Sequence, residues 1–486
     1  MKKSIFLILP AVMLMLASCM DSAGGNGGAG SVRVVLPGAS RAVSSSDRAD
    51  SYTVSLLKGG NIIESQTAVP GGAVEFDEVD AGSYTVDVEA SLSGSLSGVG
   101  SAEVAVSEGE TASCSVLMSS VYTAAQAAER ISDNNGENWN IIVAGPIDYN
   151  TLLEISENLN SISGRISLDL SRTTGLTEIG TSKFMGCTSL SGIVLPEGIG
   201  SIEENAFSGC TSLASITIPD TVKAIHPNAF QECTALESIT IPNGGIQVIA
   251  SSVFSGCSAL KSVTIPNSVT SIGDSAFENC SALESIVLPD SLMTIGQSVF
   301  YKCSALKNIV LPEGITEIGY QAFHECSTLK SIKIPKNVTK IEAYCFRHCS
   351  ALETVEIPES VTEIGERAFE GCNALVSIAI PDSVTAIAGL AFLNCYGLES
   401  IELPGNLPEI SYDTFHTCKK LKSIYIPVSV KEIGTYAFDE CDALTTVNYG
   451  GTEAEWENIT IKSNNPPFES GSGIKIIFSN GATKTL

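Results

Sequence analysis

The chain has 486 residues, of which 44% are hydrophobic, and a formal net charge of −27 at pH 7. This length exceeds one ordinary globular core, so several structural units are expected. The hydrophobic content excludes general disorder. The negative charge argues against nucleic acid as a partner, because few cations are available to neutralise phosphates, and against binding to anionic lipid through protein charge.

The N-terminus has the pattern of a signal peptide, assigned to residues 1–18. Two lysines precede an apolar segment at 5–16 that is too short to span a bilayer. Leu16-Ala17-Ser18-Cys19 resembles a bacterial lipobox, which implies that Cys19 becomes the acylated first residue. The alternative is an ordinary signal peptide that contains a cysteine. Residues 19–31 then form a Gly-rich flexible tether. The resemblance implies a lipid-anchored envelope protein, in the outer membrane and surface-exposed, that meets the membrane only through its lipid.

Residues 32–118 alternate apolar and polar side chains in short runs separated by Gly, Pro, Ser and Asp. This pattern predicts a small antiparallel β-sandwich of immunoglobulin or prealbumin type. The predicted strands are Val32–Val35, Tyr52–Leu56, Ala73–Phe76, Tyr84–Val88 and Ala102–Val106. The stretch from Phe76 to Val86 resembles prealbumin-like or collagen-adhesin B-type sandwiches of bacterial surface proteins.

Residues 119–175 have a mixed α/β pattern. The segments Ala124–Ile131 and Thr151–Leu159 are predicted helices, and Asn140–Val143 and Ile166–Leu170 are predicted strands. A solenoid needs caps, because its terminal repeats otherwise expose their core. We therefore expect this segment to cap the first coil of the repeat array that follows.

Residues 176–449 contain twelve repeats of about 23 residues, which decide the fold. Each repeat has a cysteine, a phenylalanine three residues before it and a leucine three residues after it. The cysteine interval is 23 residues except once, where it is 24 after an extra glycine at 244–245. The cysteines are Cys187, Cys210, Cys233, Cys257, Cys280, Cys303, Cys326, Cys349, Cys372, Cys395, Cys418 and Cys441.

One repeat shows why this unit predicts a leucine-rich solenoid with a parallel β-sheet on one face. Leu283, Ile286 and Leu288 have the spacing of inward side chains on a short strand, while Ser285 and Val287 alternate outward. A proline ends the strand where no donor is required. At roughly 4.8 Å per strand the array is on the order of 55 Å long. The phenylalanines are expected to form the opposite wall.

The unit Ala-Phe-x-x-Cys-x-x-Leu-x-x-Ile-x-Ile-Pro-x-x-Val-x-x-Ile resembles the BspA-like leucine-rich repeat family of bacterial surface proteins. Tyr449-Gly450-Gly451-Thr452-Glu453-x-x-Trp456 resembles its end cap, which places a C-terminal cap at 450–486. The resemblance implies a protein-binding adhesin that recognises a host matrix protein, a host cell or another bacterium. The alternatives are a structural or assembly protein of the envelope and a glycan-binding module.

The repeated cysteines lack the paired spacing of zinc sites. A buried, reduced thiol ladder capping backbone carbonyls is favoured over occasional disulfides or a metal site, and Cys114 is expected in the sandwich core. The four histidines are expected in exposed loops. No nucleophile elbow, phosphate loop or metalloprotease motif appears, so we expect neither an enzyme nor a cofactor.

Recognition should lie in outward columns that vary between repeats. The first column of the strand face is mostly serine, which suits a crowded concave sheet. The second column is the candidate surface: Val194, Thr217, Thr240, Thr264, Val287, Val310, Lys333, Glu356, Ala379, Glu402 and Tyr425.

Residues 300–350 form the one basic stretch of the repeats, with seven basic and four acidic residues. We call the following set the basic belt: Lys330, Lys333, Arg347, Tyr301, Tyr320 and Tyr344. Because exposed Tyr and Arg are favoured contact residues, the belt is a candidate ligand patch. The alternative is local drift among solvated positions.

Overall fold

The computed structural model describes residues 16–17, 30–35, 51–68, 73–92, 95–107, 111–113, 116–117, 119–134 and 136–486. The chain divides into two units, Met1–Leu176 and Thr177–Leu486. The predicted acylation site Cys19 and the predicted core residue Cys114 lie outside the described residues.

The first part of unit one consists of two β-sheets around an apolar core, which confirms the predicted all-β region. Fully buried side chains of the core include Val54, Val86 and Phe76. One sheet runs in the order Ser119–Tyr122, Ser95–Val106, Gly82–Leu92, Ser51–Lys58 and Asn61–Ala68, with antiparallel neighbours. The other runs Ala73–Val79, Gly30–Val35 and Thr111–Ser113, and Leu16–Ala17 pairs with Val116–Leu117.

The strand Asn61–Ala68 was missed by the sequence analysis. It lies at the edge of its sheet, and most of its side chains are exposed. Without a buried face, a strand loses the alternation of apolar and polar residues that identifies it.

The second part of unit one has the predicted α/β elements, with helices Ala124–Ser132 and Tyr149–Ser161. Thr123 begins the first helix with a capping box to Gln126, and Asp148 begins the second. The strands Ser119–Tyr122, Trp139–Pro146 and Ile166–Thr174 pair in parallel in that order. These elements confirm the predicted helices and strands. Their role as a cap of the first coil remains a prediction.

Unit two is a parallel β-solenoid, as predicted. Successive turns contribute a short strand to the main face and a two-residue strand to a second ladder; the turn at 377–379 contributes only the bridge of Ala379 with Glu402 to the main face. The main-face strands are Leu190–Val194, Ser215–Thr217, Ser238–Thr240, Ser262–Thr264, Ser285–Ile286, Asn308–Ile309, Ser331–Lys333, Thr354–Glu356, Ser400–Glu402, Ser423–Ile426, Thr446–Tyr449 and Lys475–Phe478. The second ladder is Glu178–Ile179, Ser201–Ile202, Ala224–Ile225, Val248–Ile249, Ser271–Ile272, Thr294–Ile295, Glu317–Ile318, Lys340–Ile341, Glu363–Ile364, Ala386–Ile387, Glu409–Ile410, Glu432–Ile433 and Thr460–Ile461.

Stacked phenylalanines form the predicted wall opposite the main face. Each ring is fully buried, and neighbouring ring centroids are 5.3–5.8 Å apart along the whole ladder. Burial of each ring contributes about 1.5–3 kcal/mol, so the ladder is a main source of stability. Its members are Phe184, Phe207, Phe230, Phe254, Phe277, Phe300, Phe323, Phe346, Phe369, Phe392, Phe415 and Phe438.

The ladder cysteines are free, buried thiols beside this wall. From Cys210 to Cys441, each Sγ donates a hydrogen bond to the carbonyl oxygen of the phenylalanine one turn earlier, at 2.9–3.3 Å. The thiols therefore cap backbone carbonyls between turns, which confirms the predicted ladder of buried, reduced thiols.

The last turn is closed by side chains of the C-terminal segment. The short helix Glu453–Trp456 buries Trp456 edge-on against Tyr449, with ring centroids 5.2 Å apart. The 3₁₀ turn Pro466–Phe468 brings Phe468 edge-on against Phe438 at 5.1 Å. The strand Lys475–Phe478 then extends the main face and pairs antiparallel with Thr483–Thr485.

Candidate binding surface

The outward columns of the main face are set by the register of the strands. Equal positions of successive turns pair in parallel, as Thr240 does with Thr264 and Lys333 with Glu356. A single bridge links Thr264 to Val287. Because side chains alternate along a strand, this register aligns one side chain per turn into a continuous outward row.

The second outward column is exposed from Thr217 to Tyr425, while Val194 at its start is partly buried. Thr217, Thr240, Thr264, Glu356 and Glu402 are all exposed. Val287 and Val310 are each 82% exposed, although both are large apolar side chains. Tyr425 is 37% exposed and ends the column. The scaffold thus presents a threonine–valine stretch followed by a charged stretch.

Charges on the neighbouring column of the same face are paired between turns. The column lies one residue after the repeat leucine, and at several places a glutamate of one turn is followed by a lysine of the next. Three contacts of 2.7–2.8 Å result, which join Glu237 to Lys261, Glu284 to Lys307 and Glu399 to Lys422. The sequence analysis missed these pairs, although residues that alternate in sign every 23 positions would have indicated them.

The structure separates the basic belt into two groups. Lys330 and Lys333 are exposed on the main face, and the ammonium group of Lys333 lies 2.6 Å from a carboxylate oxygen of Glu313. Arg347 and the three tyrosines lie on the connecting side of the coil, beside the phenylalanine wall. The belt therefore consists of two groups on different sides of the coil.

On the connecting side, the charge of Arg347 is used within the protein. Its guanidinium donates two hydrogen bonds to Glu370, at 2.8 and 3.0 Å. Arg367 donates a third at 2.7 Å, and the side chain of Glu370 is only 5% exposed. Burial alone would raise the pKa of Glu370, but the bonds from the two arginines lower that pKa below its ordinary value. Arg347 therefore holds a buried carboxylate, which reduces its availability to a ligand.

The three belt tyrosines pack around this ion pair. The ring of Tyr301 stacks on His324 with centroids 4.8 Å apart. Tyr320 meets Tyr344 edge-on at 5.3 Å, and the guanidinium of Arg347 lies 5.6 Å from the centre of the Tyr344 ring. The belt's aromatic and cationic side chains on this side are therefore ordered by each other.

The expectation that all histidines are exposed is wrong for His324. This residue is 3% exposed, because Tyr301 covers one face of its ring and Arg347 lies 3.5 Å from its Nε2. Burial, reinforced by the positive charge of Arg347, lowers the pKa of His324 to about 4. His324 therefore stays neutral at physiological pH.

Within the described parts of the chain, no group of three or more His, Cys, Asp or Glu side chains could hold a metal ion. The thiols also lack the features of reactive cysteines. Burial raises the pKa of Cys257 and of Cys395 to about 12. Since the thiolate is the nucleophile and the metal ligand, these side chains are chemically inert at neutral pH.

Comparison with protein families identifies the repeat. The sequence matches the BspA type leucine-rich repeat region over residues 166–283, 235–353 and 339–465, which together cover more than half of the chain. The chain belongs to the BspA-type leucine-rich repeat family.

Solved structures similar to this BspA-type chain include leucine-rich repeat proteins of bacteria. A leucine-rich cell surface protein from Faecalibacterium prausnitzii is 29% identical, with 67% of this chain and 86% of that chain covered and a TM-score of 0.42. A leucine-rich repeat protein from Bacteroides ovatus is 27% identical, with 63% and 79% covered and a TM-score of 0.45. The pneumococcal vaccine antigen PcpA is 19% identical, with 68% and 88% covered and a TM-score of 0.43.

Comparison with curated proteins found no significant match. In the portion of this BspA-type chain that the structure describes, no helix is both long enough and apolar enough to cross a membrane.

Proposed function

We propose that this protein is a lipid-anchored binding protein, exposed at the bacterial surface, whose solenoid recognises a protein through the second outward column of its main face. The observation that carries the proposal is the exposure of Val287 and Val310, 82% each, in adjacent turns. Neighbouring apolar side chains that face water on a rigid sheet are favourable contacts for a partner.

The repeats divide into scaffold and surface, which also supports the proposal. The buried Phe, Cys and Leu of every turn are nearly invariant, whereas the exposed column changes from threonine to valine, lysine, glutamate and tyrosine. A solenoid varies such positions without loss of fold, because each turn contacts only its neighbours. Membership of a leucine-rich repeat family, whose fold commonly serves protein binding, points to recognition without catalysis.

The surface is tested by placing charge on the exposed valines. Val287→Glu combined with Val310→Glu should weaken adhesion of the full chain to immobilised matrix proteins, host cells or partner bacteria at least tenfold. Val248→Glu is the matched control, since Val248 is an exposed valine of the second ladder. Equal binding by the double variant and the control would exclude this column as the contact surface.

The basic belt needs a modified test. Arg347→Glu would place a carboxylate against buried Glu370 and destabilise the fold by about 3–5 kcal/mol, so lost binding would be uninformative. Lys330→Glu with Lys333→Glu changes the main face alone. If the belt takes part in recognition, this pair weakens adhesion at unchanged thermal stability. Unchanged adhesion would show that these lysines are solvated surface only.

The lipid anchor and surface exposure are tested in cells. Cys19→Ala should abolish incorporation of labelled fatty acid and release the protein from the membrane fraction. Protease treatment of intact cells should remove the repeats while cytoplasmic proteins survive. Repeats that survive this treatment would favour an internal assembly role.

A further inference from the structure

A row of five planar side chains, three of them exposed, runs along the connecting side of the later turns. Tyr320 and Tyr412 lie three residues before their ladder phenylalanines, and Tyr344 and Tyr436 lie two residues before theirs. Tyr320, Tyr412 and Tyr436 are 37%, 47% and 41% exposed. Arg367 occupies the equivalent position between them, with its guanidinium 6.0 Å from the centre of the Tyr344 ring. We call these five residues the tyrosine row.

The row is interrupted by a cavity of about 370 Å³. The cavity lies where one turn has small side chains. Ala386 and Gly389 take the positions of Glu363 and Glu366 in the preceding turn and of Glu409 and Tyr412 in the following turn, and Ala388 also lines the cavity. Tyr412 forms a wall. Its ring lies against the bare backbone of Gly389, where an added Cβ would collide with the ring. A missing side chain in a repeated scaffold thus leaves a recess beside an exposed aromatic ring.

The charge around the cavity is negative. Glu363, Glu366 and Glu409 line it, and no lysine or arginine does. Strand register places Glu363 directly beside Ala386. Glu363 and Glu366 have cations nearby outside the cavity lining, whereas Glu409 has no ion pair among the described residues. The recess therefore combines carboxylates with an aromatic wall, which favours a cation.

The protein itself shows how an ammonium group is held at this position. Lys340 occupies the column of Ala386 two turns earlier. Its ammonium lies 3.2 Å from Glu363 and 3.3 Å from Glu342. At Ala386 the following turn again supplies a carboxylate, Glu409, and the preceding turn supplies Glu363, whereas Ala388 stands in place of Glu342 and Ala386 itself carries no cation.

We propose that this cavity accepts a lysine or arginine side chain of a protein partner, while the tyrosine row packs against the partner on either side. A basic partner fits both the three carboxylates and the net charge of −27, which steers cationic surfaces towards the chain. The exposed tyrosines of the row supply the surrounding contacts. The site lies away from the second outward column and does not depend on the proposal made for it.

The test places a lysine of the protein itself in the cavity. Ala386→Lys reproduces Lys340 in the turn that lacks it. Ala224→Lys is the matched control, because Ala224 lies in the same column and the substitution adds the same charge. The probe is a fluorescein-labelled peptide of alternating lysine and serine, and its binding to the full chain is measured by fluorescence anisotropy.

We expect Ala386→Lys to weaken binding of this peptide at least tenfold, with Ala224→Lys within twofold of the unsubstituted chain. Tyr412→Ser should also weaken binding, whereas Tyr396→Ser, at an exposed tyrosine outside the row, should not. Circular dichroism and thermal unfolding establish that each variant folds.

Three outcomes would overturn the proposal. In the first, Ala386→Lys and Ala224→Lys weaken binding equally, which would show general attraction to a negative surface. In the second, a peptide with norleucine in place of lysine binds as well. In the third, free lysine competes as strongly as the peptide, which would identify a small amine as the ligand.

Discussion

The thiol of Cys303 donates a hydrogen bond to the carbonyl oxygen of Phe277, one turn earlier, at 3.2 Å. The amide of Cys280 donates to the same oxygen. Cys303→Ala should therefore lower the free energy of unfolding by about 1–2 kcal/mol, from the lost bond and the space left by sulfur. Urea denaturation measures this change.

Cys345→Ala is the control for that substitution. Cys345 is equally buried but occupies the position where the adjacent turns have Ala322 and Ala368. Since the scaffold already accepts alanine there, we expect a loss less than half as large. Equal losses for the two variants would mean that the hydrogen bond contributes nothing beyond packing.

Alkaline pH should unfold the solenoid through its cysteines. Burial raises the pKa of Cys257 from its ordinary value of 9.0 to about 12, so the folded state keeps a proton that the unfolded state releases. The contribution of the protonated thiol to stability is complete below the pKa that it has in the unfolded chain, and it is lost as the pH rises from 9 towards 12. The urea midpoint should therefore fall over this interval. Replacing Cys257 and Cys395 with alanine should make the fall shallower, and an unchanged slope would contradict the assignment.

Acid should destabilise the fold through His324, because its pKa is shifted downwards whereas the pKa values of the thiols are shifted upwards. Its pKa is lowered from 6.5 to about 4, so the unfolded state binds the proton first as pH falls. The contribution of neutral His324 to the free energy of unfolding is complete above pH 6.5 and is lost as the pH falls towards 4, by up to about 3 kcal/mol. His324→Leu should remove this dependence, because Leu393 occupies the same repeat position. Chemical denaturation at pH 7 and pH 4 compares the two proteins.

Asn465 substitutes for the turn that is missing after the last repeat. Its Oδ1 accepts a hydrogen bond from the amide of Phe438 at 2.9 Å, and its Nδ2 donates to the carbonyl of Gly434 at 2.9 Å. Asn465→Ala leaves both backbone groups buried without these partners, at a cost of about 2–4 kcal/mol. Hydrogen exchange at the Phe438 amide should accelerate. The exposed Asn458→Ala should cost less than about 0.5 kcal/mol, and a similar cost would contradict the capping role.

The sequence predicted most of the solenoid, because each buried position recurs in every turn. It did not predict the backbone at two positions per turn. Ser298 and Lys302, for example, both have left-handed φ values, of 53° and 60°. The position of Ser298 carries Ser, Asn, Tyr or other residues but no Gly, and the position of Lys302 carries Gly in some turns and Glu, Asn, Lys or another residue in the rest, so no single residue type identifies them.

Much of the candidate surface followed from alternation along the strands, since outward positions need only the register. The sequence did not predict the ion pair of Arg347 with Glu370, because these two residues become neighbours only when their turns stack. The sequence did not predict the burial of His324 for the same reason, because Tyr301, which covers its ring, lies 23 residues earlier in the chain. Contacts between turns need the three-dimensional spacing as well as the repeat period.

The division of roles that we propose places recognition in the varying outward column and stability in the scaffold beneath it. It is tested most directly by replacing Val287, Val310, Lys333 and Glu356 together with threonine, the residue that the same column has at Thr217, Thr240 and Thr264. We predict an unfolding midpoint within about 2 °C of the unsubstituted chain and loss of adhesion to the cells or matrix proteins that it binds. Full adhesion by a folded variant would contradict the account.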